Sequence, residues 1–403
     1  MRRECTAILL LAISCVAASC STQHASHDKP DTITAEGQVA PAEARSQAES
    51  TSEDVQERGV TALQPSPTGR VMVPGVLTIP TSLPGEFALR TQNGFYVTAI
   101  DGGGRTADPI LVSASTTVGP WEKFKFIVTY PSTPYDKSIQ TAKGNYVTVM
   151  NGGGLTTSVF HTDATQAKDW ERFRFLDLGV GNFSPSYYAL YTIKGFYVTA
   201  VGAGGKYADA FHTDARQIQA WEQFRVVKCG DPGSGYDYGV MAADGEFLAI
   251  THWQGQLGFG LYNTPAEADM RYKFIRQGDG TYALQTANGR NYVTAVGGGG
   301  QVATYNSKYY TPDCGGLFGG PCIGGSAPIF HTDATQVQAW EKFRLIDQGN
   351  CSYAIQTSSG FFAGIFKDSS GVTLLTTRRD GAPTVNEKFQ LVVFGLASPV
   401  VLQ

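Results

Sequence analysis

Phe330-His331-Thr332-Asp333-Ala334-Thr335-Gln336-Val337-Gln338-Ala339-Trp340-Glu341-Lys342-Phe343-Arg344-Leu345-Ile346 is the stretch on which the reading of this 403-residue chain turns. Near copies stand at 160–176 and 211–227, and looser ones at 111–127, 261–275 and 377–392. A stretch that recurs six times is a structural unit before it is a reactive centre. The repeat closes on Phe124, Phe173, Phe224, Phe274, Phe343 and Phe389, at spacings of 49, 51, 50, 69 and 46 residues. The long interval holds an insertion of about twenty residues near 303–327.

Upstream of each copy runs an alternating segment, a turn pair such as Asn93-Gly94 or Asp244-Gly245, and the element Phe95-Tyr96-Val97-Thr98-Ala99 or a variant of it. Alternating apolar residues across such a pair are a strong hairpin signal. Each repeat thus offers about four short strands and no helical period of useful length, so the class is all-β. Repeats of this size suit either a six-bladed propeller or two tandem β-trefoils, each closing three repeats into a short barrel.

Tyr282-Ala283-Leu284-Gln285-Thr286-Ala287-Asn288-Gly289, the run 291–300, Phe-His-Thr-Asp-Ala-Thr-Gln and Trp-Glu-Lys-Phe-Arg resemble the repeats of fascin-like β-trefoil proteins. The resemblance covers about 87–393 and implies two trefoils, at 86–229 and 236–397, with the seam near Cys229-Gly230-Asp231-Pro232. Ricin-type trefoil lectins carry Gln-x-Trp in each repeat; Gln219-Ala220-Trp221 and Gln338-Ala339-Trp340 match it, whereas Lys168-Asp169-Trp170 and Gly119-Pro120-Trp121 do not.

The N-terminus reads as an export signal over 1–20, with Arg2 and Arg3 ahead of an apolar run too short to span a bilayer. Its end, Val16-Ala17-Ala18-Ser19-Cys20, resembles a bacterial lipobox, which implies lipidation of Cys20 and a lipoprotein at the outer membrane or cell surface. Ordinary cleavage after Ser19 is the alternative and implies a secreted protein. Residues 21–85 are rich in Ser, Thr, Gln, Glu, Pro and Ala, and every Phe, Tyr and Trp lies at or after Phe87. Such a segment buries too little apolar surface to offset its ordering entropy, and a disordered tether is expected. With a net charge of −4 and no polybasic run, the chain carries no footprint for nucleic acid.

Positions shared between repeats read first as packing. The six closing phenylalanines, with Trp121, Trp170, Trp221 and Trp340, are expected in the barrel cores; a sugar-stacking platform is the other use of such tryptophans. His161, His212 and His331 sit on separate repeats and so do not gather around a metal. Asp163, Asp214 and Asp333 repeat one environment, whereas a glycosidase needs two different ones; turn-making is expected of them. The glycine runs at 102–104, 152–154 and 297–300 lack the following helix that a phosphate cradle requires.

Recognition is expected where the repeat breaks. His252, Trp253 and Gln254 replace a glycine run, and the insertion carries Tyr305, Tyr309, Tyr310 and Phe318 between Cys314 and Cys322 or just before them. Cys314 and Cys322 are close enough in sequence to staple it, and a Cys229 to Cys351 bridge is open. The expected function is non-catalytic binding of a polysaccharide or glycoconjugate, with no cofactor and no metal. Adhesion to a surface protein and an accessory module of an enzyme are the alternatives, and actin bundling fits neither the charge nor the export.

Overall fold

The computed structural model describes residues 84–399 apart from 130–132, 134, 180–186, 234, 254–255, 263–266, 300–329, 368–372, 379–380 and 397. Cys20, Gln254, Tyr305, Tyr309, Tyr310, Phe318, Cys314 and Cys322 lie outside the described residues. So do the side chains of His252 and Trp253.

Glu86–Thr91 (β1), Tyr96–Ala99 (β2), Leu111–Ser115 (β3) and Lys125–Ile127 (β4) make the first repeat. Asp136–Gln140 (β5), Tyr146–Val149 (β6), Phe160–Ala164 (β7) and Phe173–Asp177 (β8) make the second. The third is Tyr188–Thr192 (β9), Tyr197–Ala200 (β10), Phe211–Ala215 (β11) and Phe224–Cys229 (β12). The pairings decide the architecture. Strand β4 pairs β5, β5 pairs β8, β8 pairs β9, β9 pairs β12 and β12 pairs β1. A bridge from Phe87 to Phe124 joins β1 to the lead of β4 and closes the ring. The hairpins β2–β3, β6–β7 and β10–β11 stand outside this barrel.

The second lobe repeats the plan. Its strands are Asp237–Ala242 (β13), Phe247–Trp253 (β14), Gln256–Tyr262 (β15), Tyr272–Arg276 (β16), Tyr282–Thr286 (β17) and Tyr292–Ala295 (β18). Phe330–Ala334 (β19), Phe343–Asp347 (β20), Ser352–Thr357 (β21), Phe362–Lys367 (β22), Thr373–Arg378 (β23) and Phe389–Phe394 (β24) complete it. The ring runs β13, β16, β17, β20, β21, β24 and back to β13. In a propeller each blade pairs its strands in chain order within itself. Here the first and fourth strands of each repeat pair, and the fourth pairs on into the next repeat. The fold is therefore two tandem β-trefoils. Helical backbone among the described residues is confined to 3-10 turns of three or four residues.

The closing phenylalanines behave as expected: Phe124, Phe173, Phe224, Phe274, Phe343 and Phe389 are all buried. Packed rings continue the first core, with Phe87 stacked on Phe126 at 5.0 Å and Phe126 tilted against Phe175 at 4.9 Å between centroids. Each fully buried ring contributes about 2–3 kcal/mol relative to exposure. Trp121, Trp170, Trp221 and Trp340, expected in these cores, do not belong to them and are exposed.

Backbone and covalent links join the lobes. Val227 of β12 pairs Val392 of β24, the Tyr188 hydroxyl donates to Val393 O at 3.0 Å, and Cys229 is bonded to Cys351. Two lysines lie buried near this seam. Lys137 Nζ donates to Leu396 O at 2.6 Å and lies 5.5 Å from the Phe175 ring centre; Lys228 Nζ donates to Cys229 O at 2.6 Å. Burial lowers both ammonium groups to about 8, against smaller opposing pulls from Asp136 on Lys137 and from Asp231 and Glu86 on Lys228. Between about pH 8 and 10.5 the unfolded chain holds these protons and the folded chain does not, so stability rises with pH. Burial raises the Tyr188 and Tyr272 phenols, so the unfolded chain loses those protons first above about pH 10 and stability falls again. The expected result is a melting temperature that increases from pH 7.5 to about 9.5 and declines beyond. A flat or falling profile across the first interval would remove the lysine account.

Candidate tryptophan ledges

Trp121, Trp170, Trp221 and Trp340 are 44%, 44%, 47% and 49% exposed. Each sits in the middle of a one-turn 3-10 segment: Pro120–Glu122, Asp169–Glu171, Ala220–Glu222 and Ala339–Glu341. What goes inward is the next residue. Glu122, Glu171, Glu222 and Glu341 are buried, and each accepts from the threonine of its own repeat's Tyr-Val-Thr element. The pairs are Thr98 to Glu122 (2.7 Å), Thr148 to Glu171 (2.6 Å), Thr199 to Glu222 (2.7 Å) and Thr294 to Glu341 (2.7 Å). The second carboxylate oxygen caps the turn by accepting a backbone N–H, from Gly119 at 2.7 Å and from Lys168, Gln219 and Gln338 at 2.8 Å.

This arrangement is the physical reason for the correction. Consecutive side chains in a single 3-10 turn point in different directions, and satisfying two donors draws the glutamate in. The indole is left outside. Hydrophobicity and recurrence alone favour the opposite assignment, and the signal missed was a Thr and a Glu repeating together at a spacing of 23 or 24 residues in the first three repeats.

The glycine turns explain where the indoles rest. A Cβ built on Gly102 or Gly152 would lie 3.4 Å and 3.5 Å from Cδ1 of Trp121 and Trp170, so the ring edge lies against bare backbone. One residue on, Gly103 holds φ +102°, and a Cβ there would lie 2.3 Å from Thr141 Oγ1 of the next repeat. Only glycine permits that approach with that dihedral. The following hairpin turn closes the ledge: Lys143 N–H donates to Gly102 O at 3.0 Å, and Lys194 N–H to Gly152 O at 3.3 Å. Around the ring, Asn93 Nδ2 donates to Gly202 O at 3.0 Å. The Trp121 and Trp170 ledges are therefore each a half-exposed indole, a glycine floor and a polar turn from the neighbouring repeat; beside Trp221 the floor position is Ala203, whose O accepts the Asn93 N–H at 3.2 Å. Threefold repetition sets three of them around one barrel.

Repeats four and six abandon this set together. Ala249 and Tyr272 stand in place of the Thr–Glu pair in repeat four, where the Tyr272 hydroxyl donates to Leu248 O at 3.3 Å and Asp269 O at 3.1 Å. In repeat six Gly364 replaces the threonine, and the Arg378 guanidinium takes over Glu387, Nε to Oε1 at 3.2 Å. Hairpins β14–β15 and β22–β23 then run in unbroken register, whereas the other four carry a bulge. His252 and Trp253 stand at the tip of β14, with Trp253 opposite Gln256.

The other recurring residues stay apart. His161 and His331 face Asp163 and Asp333 at 4.0 Å and 3.8 Å, and His212 Nε2 meets Asp209 at 2.9 Å. No group of three or more metal-ligating side chains occurs among the described residues. Asp163, Asp214 and Asp333 lie exposed near the ends of strands β7, β11 and β19 and cap no turn, contrary to their expected role. The residue before each is the structural one: Thr162 and Thr213 are buried and bond to Arg105 and Leu155 of the preceding repeat.

No protein-family model matches the chain, and no curated protein sequence matches it. Similar solved structures include a mosquitocidal holotoxin, 8% identical with a TM-score of 0.31, over 77% of this chain and 34% of that chain. The designed threefold-symmetric protein ThreeFoil is 15% identical with a TM-score of 0.30, over 36% of this chain and 99% of its own. The agglutinin from Abrus precatorius is 10% identical with a TM-score of 0.26, over 76% of this chain and 96% of that chain. The chain spans about a third of the holotoxin's length. Likeness at this level says nothing of ligand or activity, and the fold stands on the strand pairings.

Proposed function

We propose that this protein is an exported, non-catalytic carbohydrate-binding protein that holds a polysaccharide or glycoconjugate on the ledges of Trp121, Trp170 and Trp221. The observation that carries the reading is an exposed indole, fixed in one geometry, repeated three times around the first barrel. A flat apolar face beside hydrogen-bonding groups is what the apolar side of a sugar ring needs. A ledge fixed by a buried glutamate loses little freedom on binding, which favours affinity. Three ledges around one barrel suit a repeating polymer, where the second and third contacts gain from effective concentration. Trp340 offers a fourth ledge on the second lobe, and the hairpin tip at Trp253 and the aromatic insertion around Tyr309 are further contacts in this reading. Attachment through a lipid on Cys20 would place the ledges at a membrane surface; palmitate labelling of the chain and of Cys20→Ser tests that part.

The test of the main reading is a glycan array followed by titration of the full chain with the best polysaccharide. Trp121→Ala/Trp170→Ala/Trp221→Ala is expected to weaken polymer binding about 100-fold or more while the circular dichroism spectrum is kept. Trp253→Ala asks whether the hairpin tip contributes. Binding of no glycan at all, or full binding by the triple variant, would sink the proposal and turn attention to a protein partner.

A further inference from the structure

The first lobe has a second concavity, and none of the tryptophans lines it. The segments 108–111, 156–160 and 207–211 occupy the same place in three successive repeats and converge on a cavity of about 400 Å³. Such convergence puts it on the pseudo-threefold axis, at the hairpin end of the barrel. That volume falls in the range of cavities that take small-molecule ligands.

The walls are built by the scaffold. Gly104 N–H donates to Thr162 O at 2.6 Å, Gly154 N–H to Thr213 O at 2.7 Å and Gly205 N–H to Ser113 O at 2.6 Å. Return bonds run from Thr162 N to Arg105 O, from Thr213 N to Leu155 O and from Ser113 N to Lys206 O. Each loop is thereby clamped to the next repeat, and the third is clamped to the first, so the ring of loops is closed and pre-organised.

Floor and rim differ in chemistry. Leu111, Phe160 and Phe211 form the floor, and the last two rings meet edge-on with centroids 5.9 Å apart. The rim is polar: Asp108, Ser158 and Asp209, one from each repeat, line it, with Tyr207 58% exposed beside them. Ser158 and Asp209 adopt left-handed backbone, φ +47° and +49°, a conformation that non-glycine residues keep mainly where surrounding structure imposes it. Asp209 is paired with His212, and among the described residues no cation pairs with Asp108.

We propose that this axial cavity binds an amino sugar, a mono- or disaccharide with a free ammonium group. Its apolar ring face rests on Leu111, Phe160 and Phe211, and its ammonium and hydroxyls donate to the Asp108 and Asp209 carboxylates. An acidic rim disfavours anions, and a charged acceptor makes the strongest hydrogen bonds with a cationic donor. The ligand class rests on the carbohydrate reading above, but the residues are different, so the two are tested separately.

Calorimetric titration of the full chain with the glucosamine disaccharide and with its N-acetylated counterpart is the experiment. The amine form is expected to bind at least tenfold more tightly. Asp108→Asn/Asp209→Asn is expected to erase that preference; asparagine tolerates left-handed backbone and keeps the side-chain volume. Retention of disaccharide binding by the triple tryptophan variant places it on the axis. Equal binding of both disaccharides, an undiminished preference in the double asparagine variant, or loss of disaccharide binding in the tryptophan variant would each overturn the proposal. Axial binding without polymer binding would overturn the ledges alone.

Discussion

Replacing Glu222 by alanine is expected to destabilise the protein by about 3–5 kcal/mol, a large effect for one turn on the surface of a barrel. The carboxylate accepts the Thr199 hydroxyl at 2.7 Å and the Gln219 N–H at 2.8 Å while itself buried. Truncation leaves both donors without a partner and removes two charge-assisted bonds, each worth roughly 1.5–3 kcal/mol. Glu222→Gln keeps one acceptor oxygen and is expected to lose about half as much. Urea denaturation measures both, and a change under about 1 kcal/mol for the alanine variant would show that water reaches the site and that the pair is not structural. The same substitution releases the Trp221 ledge, so weaker polymer binding should accompany the lost stability. The molecule contains its own control in repeat four, where Ala249 removes the hydroxyl donor as Tyr272 replaces the glutamate, and the Tyr272 hydroxyl donates to Leu248 O and Asp269 O.

Loss of the bond between Cys229 and Cys351 is expected to cost about 3–5 kcal/mol. It closes a loop with a sequence separation of 122 residues, so the constraint on the unfolded chain is large. It also secures a strained turn. Gly349, Asn350 and Cys351 all have positive φ, at +73°, +52° and +51°, and Asn350 Oδ1 accepts the Val118 N–H across the seam at 3.2 Å. The cysteines pack with Ala88, Tyr96, Val118 and Val227, so the bond stands in an apolar cluster shared by both lobes. Cys229→Ser/Cys351→Ser should therefore lower the denaturation midpoint, and reductant should do the same to the parent chain without affecting the double variant. An unchanged midpoint in both would show that β12–β24 pairing and the seam hydrogen bonds suffice without the bond.

Much of the fold was legible in the chain because a repeated sequence reports a repeated backbone. The six phenylalanines recur without exception, and all six are buried, since a barrel core accepts a large apolar residue at one fixed register. The hairpin turns were equally readable, because Asn-Gly and Lys-Gly pairs between alternating segments have few other uses. The glycines at 102–104, 152–154 and 297–299 all hold positive φ. The tryptophans misled for a definable reason. Recurrence says that a residue is placed by the repeat, but it does not say on which side of the backbone, and the buried glutamate beside each tryptophan settles the side.

The candidate sites follow the same division. Local sequence carries the parts of a ledge, an indole, a glycine turn and a hairpin tip, but these come from two adjacent repeats. Their meeting depends on barrel closure. The axial cavity depends on it more completely, since Asp108, Ser158 and Asp209 are about fifty residues apart in the chain and come together only when the third repeat clamps the first. By itself the sequence determined the class, the number of repeats and the phenylalanine core, because those follow from composition and period. Tertiary structure alone decided which shared residues face water, which cysteines pair and where three loops meet. Each of those is a distance between repeats, and periodicity carries no information about distance across an axis.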